Sequence, residues 1–345
     1  MILFSSWSYL SRGEYAAEDY WKKSTPSAQG MNPELISKAI KKAGEHSFIN
    51  SLLIIRNGYL ITERYFNDNN MYTPQNIKSV SKSIISALIG IAIKENYLKN
   101  VDQKVLDFFP EYSSGINDRR IRDITIKHLL TMSSGFDNTV NAAMDIYSSL
   151  NWCKTILRLP VKTYPGEEFE YSSSNTHLLS AIITKAAGMN TLEFAKKYLF
   201  DKLNISIKNW EKAPEGYYIG GSEIYIYPRD LAKFGYLYLN NGMFEGNQII
   251  PAAWVKESLN SDQNSTNFCD DNETTYGYSW WLLNINNYKT HLALGFGGQM
   301  IMLVQELDMV IIVASDENVC SSQSIEQTNT ILDLISDYII TCCTS

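Results

Sequence analysis

Two β-rich runs flank Asn57-Gly58 in SLLIIRNGYLITERYF (51–66), and no other stretch constrains the fold of this chain as tightly. Asn-Gly suits a two-residue turn with both residues left-handed, whose twist matches that of the strands it joins, so the segment predicts a β-hairpin. Strand signals then lapse and return late, in EIYIYP (223–228), YGYSWWLL (276–283) and MIMLVQELDMVIIVAS (300–315), the last broken by a polar turn at 305–308. Helical patterns fill the interval. An apolar helix is expected from Ser79 to Lys94, with Gly90 marking close packing. VDQKVLDFFP (101–110), IKHLLTMSSG (126–135), NTHLLSAIITKAAG (175–188) and LEFAKKYLF (192–200) carry further helical signals. A helix over 33–45 with Asn32 as N-cap and a terminal helix over 325–340 complete the pattern.

The predicted class is therefore α+β, an antiparallel sheet flanked by helices. Both ends of the chain (31–78 and 201–345) build the sheet domain, a mostly helical domain (79–200) is inserted between them, and residues 1–30 form a leader crossing the surface.

Composition bounds the function. With 345 residues, 45% apolar and only 19% charged, the chain buries a large core and is not disordered by default. A net charge of −7 makes nucleic acid and anionic membrane surfaces poor partners. The apolar run Ser83–Ile93 is far below the roughly 20 residues that span a bilayer, so no membrane span is expected. No Lys or Arg precedes the apolar start of MILFSSWSYLSRGEY, so no clear signal peptide is read. A cytoplasmic location is expected, with an extracytoplasmic one left open by a degenerate or missing signal.

Five cysteines (Cys153, Cys269, Cys320, Cys342, Cys343) show no CxxC spacing, which predicts no disulfide framework, and Cys342 and Cys343 sit at a terminus expected to fray. His46, His128, His177 and His291 lack any metal-binding spacing, so neither metal nor cofactor is expected. Ser79 has no G-x-S-x-G elbow, against a Ser-His-Asp hydrolase. His128 reads as structural, His177 as a residue that could approach a site beside Tyr171, and Arg229-Asp230 as a helix anchor.

Three segments can carry chemistry. Ser79-Val80-Ser81-Lys82 places a hydroxyl and an amine one helical turn apart, where a lysine in a dry setting can take the serine proton; alone, the same spacing also fits a helix cap followed by a solvated lysine. Glu170-Tyr171-Ser172-Ser173-Ser174-Asn175 opens a helix and offers a phenol and a hydroxyl for proton transfer, or simply a serine cap and a packed tyrosine. Gly295-Phe296-Gly297-Gly298-Gln299 lets backbone N–H groups approach an oxyanion, or makes a tight turn.

Taken in order, these segments resemble the serine β-lactamase and penicillin-binding-protein superfamily, and most of all its branch of class C β-lactamases, esterases and 6-aminohexanoate-dimer hydrolases. The resemblance runs from about WKKSTPSAQG (21–30) through ITIKHLLTMSSG (124–135), PGEEFEYSSSNTHLLSAII (165–183), IGGSEIYIYPRDLAKFGYLYLNNG (219–242) and IIPAAWV (249–255) to the last helix. It implies Ser79 as acylated nucleophile, Lys82 as general base and Tyr171 as proton shuttle to the leaving group. The Ser79 and Gln299 backbone N–H groups are the implied oxyanion donors, with Ser173, Phe296, Gly297 and Gly298 beside them.

Two departures bear on substrate. Ser173 stands where asparagine is commoner, as in the aminohexanoate-oligomer hydrolases. Phe296 stands where lactamases and penicillin-binding proteins carry a lysine, so the charge that holds a substrate carboxylate is missing. The expected function is hydrolysis of a small-molecule amide or ester through a Ser79 acyl-enzyme. A β-lactamase or D-Ala-D-Ala carboxypeptidase is the alternative, and a non-catalytic binding protein on the same scaffold a third. Tyr276, Tyr278, Trp280, Trp281 and Phe296 are candidates for an apolar cleft wall, or for aromatic filling of the sheet face.

Overall fold

Asn57 and Gly58 adopt φ of 51° and 76° and close the predicted hairpin between β1 (Ile49–Arg56) and β2 (Tyr59–Tyr65). The structure, a computed structural model, describes residues 20–116, 118–260, 263–264 and 274–343. Most of the leader (1–19) and Cys269 fall outside the described residues.

Three short strands, β3 (Gln75–Asn76), β4 (Ile207–Trp210) and β5 (Ile224–Ile226), form a small separate sheet in the order β3-β5-β4. A minimal pair follows, β6 (Met243–Phe244) with β7 (Asn247–Gln248). The hairpin joins β8 (Gln263–Asn264), β9 (Thr275–Tyr276), β10 (Trp281–Ile285), β11 (Tyr288–Gly295), β12 (Gln299–Val304) and β13 (Met309–Ser315) in an eight-stranded antiparallel sheet. Its order is β2-β1-β13-β12-β11-β10-β9-β8, so the early hairpin shares one sheet with the late strands, as expected, and pairs with the last of them.

Three strand expectations change. EIYIYP supplies β5 of the small sheet instead of the main one. The run 276–283 is broken where the Gly277 N–H bonds to the Trp280 carbonyl and Ser279 takes φ 63°. β11 escaped the sequence reading altogether, although Asn286 and Asn287, at φ 51° and 68°, turn the chain into it.

The main sheet is buried on both faces, which explains why β1 reads as a continuous apolar run instead of alternating. Leu53 and Ile55 point to one core with Val310 and Ile312; Leu52 and Ile54 point to the other with Ile311 and Val313. The first core is covered by α2 (Ser81–Lys94), α6 (Ser173–Ala187) and α8 (Pro228–Leu239), the second by α1 (Pro33–Glu45) and α10 (Ser321–Leu334). Between α2 and α6 run the short helices α3 (Ile126–Leu130), α4 (Val140–Ser148) and α5 (Trp152–Ile156); α7 (Thr191–Ala195) and α9 (Ala252–Ser258) follow later. Residues 105–108 make only a 3₁₀ turn, not a helix. Asn32 caps α1 through the N–H groups of Glu34 and Leu35. A Cβ at Gly90 would overlap the Trp254 ring, the reason a glycine sits inside α2.

The end of the leader is docked, not merely crossing the surface. Trp21 is buried edge-on against Tyr236, and Lys23 bridges Leu60 of β2. The C-terminal cysteines do not fray: Cys342 is buried, and Cys343 accepts a hydrogen bond from Arg56 Nη1 at 2.6 Å. Among the described residues no helix is long and apolar enough to cross a membrane.

Candidate active site

Ser79 lies in a 3₁₀ turn (Lys78–Val80) that leads into α2, so the Ser-x-x-Lys spacing spans the first turn of a slightly later helix than expected. The turn is held from behind. Lys78, at φ 45°, gives its backbone N–H to Asn76 Oδ1 at 3.1 Å, and both Asn76 and Lys78 reach the Glu223 carboxylate, at 2.8 and 3.4 Å. A non-glycine residue in this conformation persists only where surrounding contacts fix it, and the small sheet supplies them.

Lys82 is 1% exposed at the base of the site. Its Nζ donates to Ser79 Oγ at 2.8 Å, Ser173 Oγ at 3.0 Å and the Gly221 carbonyl at 2.8 Å. Three acceptors match the three protons of an ammonium, yet none of them is charged. Burial without a counter-ion pulls its pKa down to about 7. An amine so placed holds its proton loosely.

Ser173 enters through α6. Ser172 caps that helix by accepting from the Ser174 N–H at 3.2 Å, which leaves Ser173 free to face Lys82. Gly221 is the residue sequence reasoning missed. A Cβ on it would lie 2.8 Å from Ser173 Cβ, so only glycine lets its carbonyl reach the lysine. The one available signal was the Gly220-Gly221 pair ahead of EIYIYP.

Tyr171 is half-buried with its ring stacked on Trp281 (5.5 Å, 27°), edge-on to Tyr276, and 5.0 Å from Lys82 Nζ. Burial pushes its phenol up to about 12, against the pull of the neighbouring Ser79 hydroxyl. It therefore keeps its proton at neutral pH.

The glycine hairpin sits differently from expectation. The Gly298 N–H bonds to the Gly295 carbonyl at 3.1 Å, so Gly295 turns its polar groups toward β12, where it pairs with Gln299. Antiparallel alternation then turns the Leu294 polar groups to the opposite edge, which β10 leaves uncovered beyond Leu292, and Phe296 follows Gly295 into the turn at the end of that edge. That edge runs past the serine: a Cβ on Gly295 would lie 3.1 Å from the Ser79 nitrogen. Gln299 is buried away from it, its side chain bonded both ways to the Ser315 backbone (2.6 and 3.2 Å). Gly297 gives its N–H to Ser324 Oγ, and a Cβ on Gly298 would meet Ile331. Gln299, Gly297 and Gly298 thus shape the turn and do not line the cavity; Phe296 does.

Two cavities meet at Tyr171. One, of about 360 Å³, holds Ser79 with Trp281, Leu294, Phe296 and Ile325, and among the described residues none that lines it is charged. The other, of about 420 Å³, lies beyond Ser173 and includes Tyr147, Trp152, His177 and Glu223. Of the expected aromatic wall, Trp281 and Phe296 face the first cavity, while Tyr276, Tyr278 and Trp280 are core. His177 lines the second cavity but bonds to Glu215 at 3.1 Å. His128 completes the capping box of α3. Arg229 clamps Glu63 of β2 with two bonds, and Asp230 binds Lys233, so that pair anchors α8.

The sequence profile of the Beta-lactamase family matches residues 50–326. A 6-aminohexanoate-dimer hydrolase from Paenarthrobacter ureafaciens is 24% identical over 299 residues, covering 79% of this chain and 73% of its own. Among solved structures, a Bacillus anthracis protein provisionally named a 6-aminohexanoate-dimer hydrolase aligns with a TM-score of 0.73 at 20% identity, over 88% of this chain and 82% of that one. EstCE1, described as a hydrolase with promiscuous acyltransferase activity, aligns at 0.69 and 15% identity, over 87% and 99%. These structures share the fold; the profile spans most of the chain and carries the assignment. The chain belongs to the β-lactamase family and is a serine hydrolase built on its fold.

Proposed function

We propose that the protein hydrolyses a small amide or ester through an acyl-enzyme on Ser79. The observation that carries this reading is the Lys82 amine, buried without a counter-ion and bonded to Ser79 Oγ. Ser79 attacks the carbonyl carbon while its proton passes to Lys82. The oxyanion forms against the backbone N–H groups of Ser79 and Phe296, the second in place of Gln299. Tyr171 gives a proton to the departing group and recovers one from the Lys82 ammonium, so the C–N or C–O bond breaks and the amine is neutral again. Water then attacks the acyl carbon, its proton returns through Lys82, and the acid product leaves with Ser79 restored. The cavity, whose described lining carries no charged residue, favours a neutral, partly apolar acyl group. A β-lactam or a D-Ala-D-Ala peptide fits less well, because Phe296 offers no charge to a substrate carboxylate.

Intact-mass analysis after treatment with a fluorophosphonate tests the reading. One phosphonyl adduct on the wild-type chain and none on S79A is the expected result; equal labelling of both would overturn it.

A further inference from the structure

Cys153 on α5, His177 on α6 and Glu215 in the 213–216 turn are far apart in sequence, and the fold brings their ligand atoms within 4.8 Å of one another. The cluster lies inside the protein: Cys153 is fully buried, and the side chains of His177 and Glu215 are 3% and 6% exposed. Glu215 Oε1 accepts from the Cys153 N–H at 3.0 Å and pairs with His177 Nε2 at 3.1 Å. Its other oxygen, Oε2, and His177 Nδ1 are buried and have no hydrogen-bond partner among the described residues. Leaving such atoms unpaired in a protein interior is costly. That cost points to a guest which uses them.

We propose that Cys153, His177 and Glu215 form a zinc-binding site. Thiolate, imidazole and carboxylate are the three side-chain ligands that Zn²⁺ takes together in tetrahedral sites. One thiolate and one carboxylate neutralise the dication, so the filled site adds no net charge to the interior. The fourth position falls to water, and the way in is the cavity beyond Ser173, which His177 and Trp152 both line. Binding proceeds by loss of the Cys153 thiol proton to solvent as the Zn–S bond forms. His177 coordinates through the ring nitrogen that carries no proton, and Glu215 enters already ionised. Burial first, and the Glu215 charge next, hold the Cys153 thiol well above its usual range, so the empty site keeps that proton. Affinity should therefore rise about tenfold per pH unit near neutrality. A bound ion would fasten α5 and α6 to the 213–216 turn behind the cavity wall, where Trp152 packs edge-on against His177 at 5.3 Å.

The test uses the full chain, stripped with a chelator and titrated with Co²⁺ and then Zn²⁺. A thiolate-to-cobalt charge-transfer band saturating at one equivalent, displaced by Zn²⁺, is expected, with a rise in melting temperature on zinc loading. C153A and E215Q should each weaken zinc affinity by about a hundredfold or more, while C343S and C320S leave it unchanged. Should C153A fail to fold, the charge-transfer band of the wild type decides alone. Absence of that band, or zinc binding equal in wild type and a folded C153A, would overturn the site and leave the cluster a hydrogen-bonded tie.

Discussion

Lys82 Nζ stands 2.8 Å from Ser79 Oγ in a shell whose other partners, Ser173 Oγ and the Gly221 carbonyl, are uncharged. A carboxylate in that shell would hold the ammonium charged. Its absence lets burial bring the amine to about 7.

The first prediction follows from that value. kcat/KM for an aryl ester should rise with pH through a limb near 7, where Lys82 loses its proton, and not through one near the ordinary lysine value of about 10.4. Lys82 also marks stability. Its folded pKa lies below its unfolded one, so the unfolded chain holds more protons between them and stability rises across that window, from about 7 to about 10.4. Thermal melts of K82M against wild type should show that rise vanish, with acylation lost and the fold retained.

Tyr171 keeps its proton, and the need for it depends on the leaving group. An amine must be protonated to depart, whereas an aryloxide leaves unaided. Y171F should reduce amide cleavage about 10²–10⁴-fold more than aryl-ester cleavage. The Trp281 and Tyr276 contacts survive the change, so the melting temperature should hold. Equal losses on matched substrates would remove Tyr171 from amine departure.

Removing Ser173 takes one acceptor from the ammonium form of Lys82. The charged form then loses support, so in S173A the rising limb should move to lower pH, with kcat down roughly tenfold as the amine loses a contact that orients it. A pH–rate profile reads both effects; a limb moved upward would contradict the assignment.

Phe296 is 39% exposed at the cavity rim. F296K places a charge beside the bound acyl group, and a charge-assisted bond there, weakened by solvent, should improve kcat/KM for a cephalosporin about tenfold while leaving a neutral ester little changed. Parallel assays on the two substrates measure the ratio.

The Arg229–Glu63 pair ties α8 to β2. Burial pushes the Glu63 carboxyl up, but the hydrogen bonds from Arg229 and Tyr65 and the Arg229 charge outweigh it and leave it below its ordinary value. The pair therefore contributes stability above the unfolded carboxyl value of about 4.3, and loses it as pH falls through the depressed folded value. R229A should cost about 3 kcal/mol at pH 7, by urea unfolding, because it leaves a largely buried carboxylate without its cation, held only by the Tyr65 hydroxyl.

What the sequence determined by itself was whatever depends on near neighbours along the chain. Asn57-Gly58 fixed a hairpin because its two residues tolerate left-handed dihedrals. Ser79 and Lys82 met because one helical turn separates them. Asn32 and Ser172 capped their helices through side-chain bonds to N–H groups two or three residues on. The family resemblance added Tyr171 and Ser173, whose partners no local rule names. Only the tertiary structure decided the rest. Gly221 became a lysine ligand because α6 packs where a Cβ would collide. Gln299 was turned away from the open edge because strand register, invisible in composition, pairs it with Gly295. Cys153, His177 and Glu215 carry no metal-like spacing, and two helices and a turn from distant parts of the chain had to pack before their ligand atoms met. Side-chain periodicity is a property of a few adjacent bonds; the shell around a buried amine is set by the packing of elements far apart in sequence, which no short window of sequence contains.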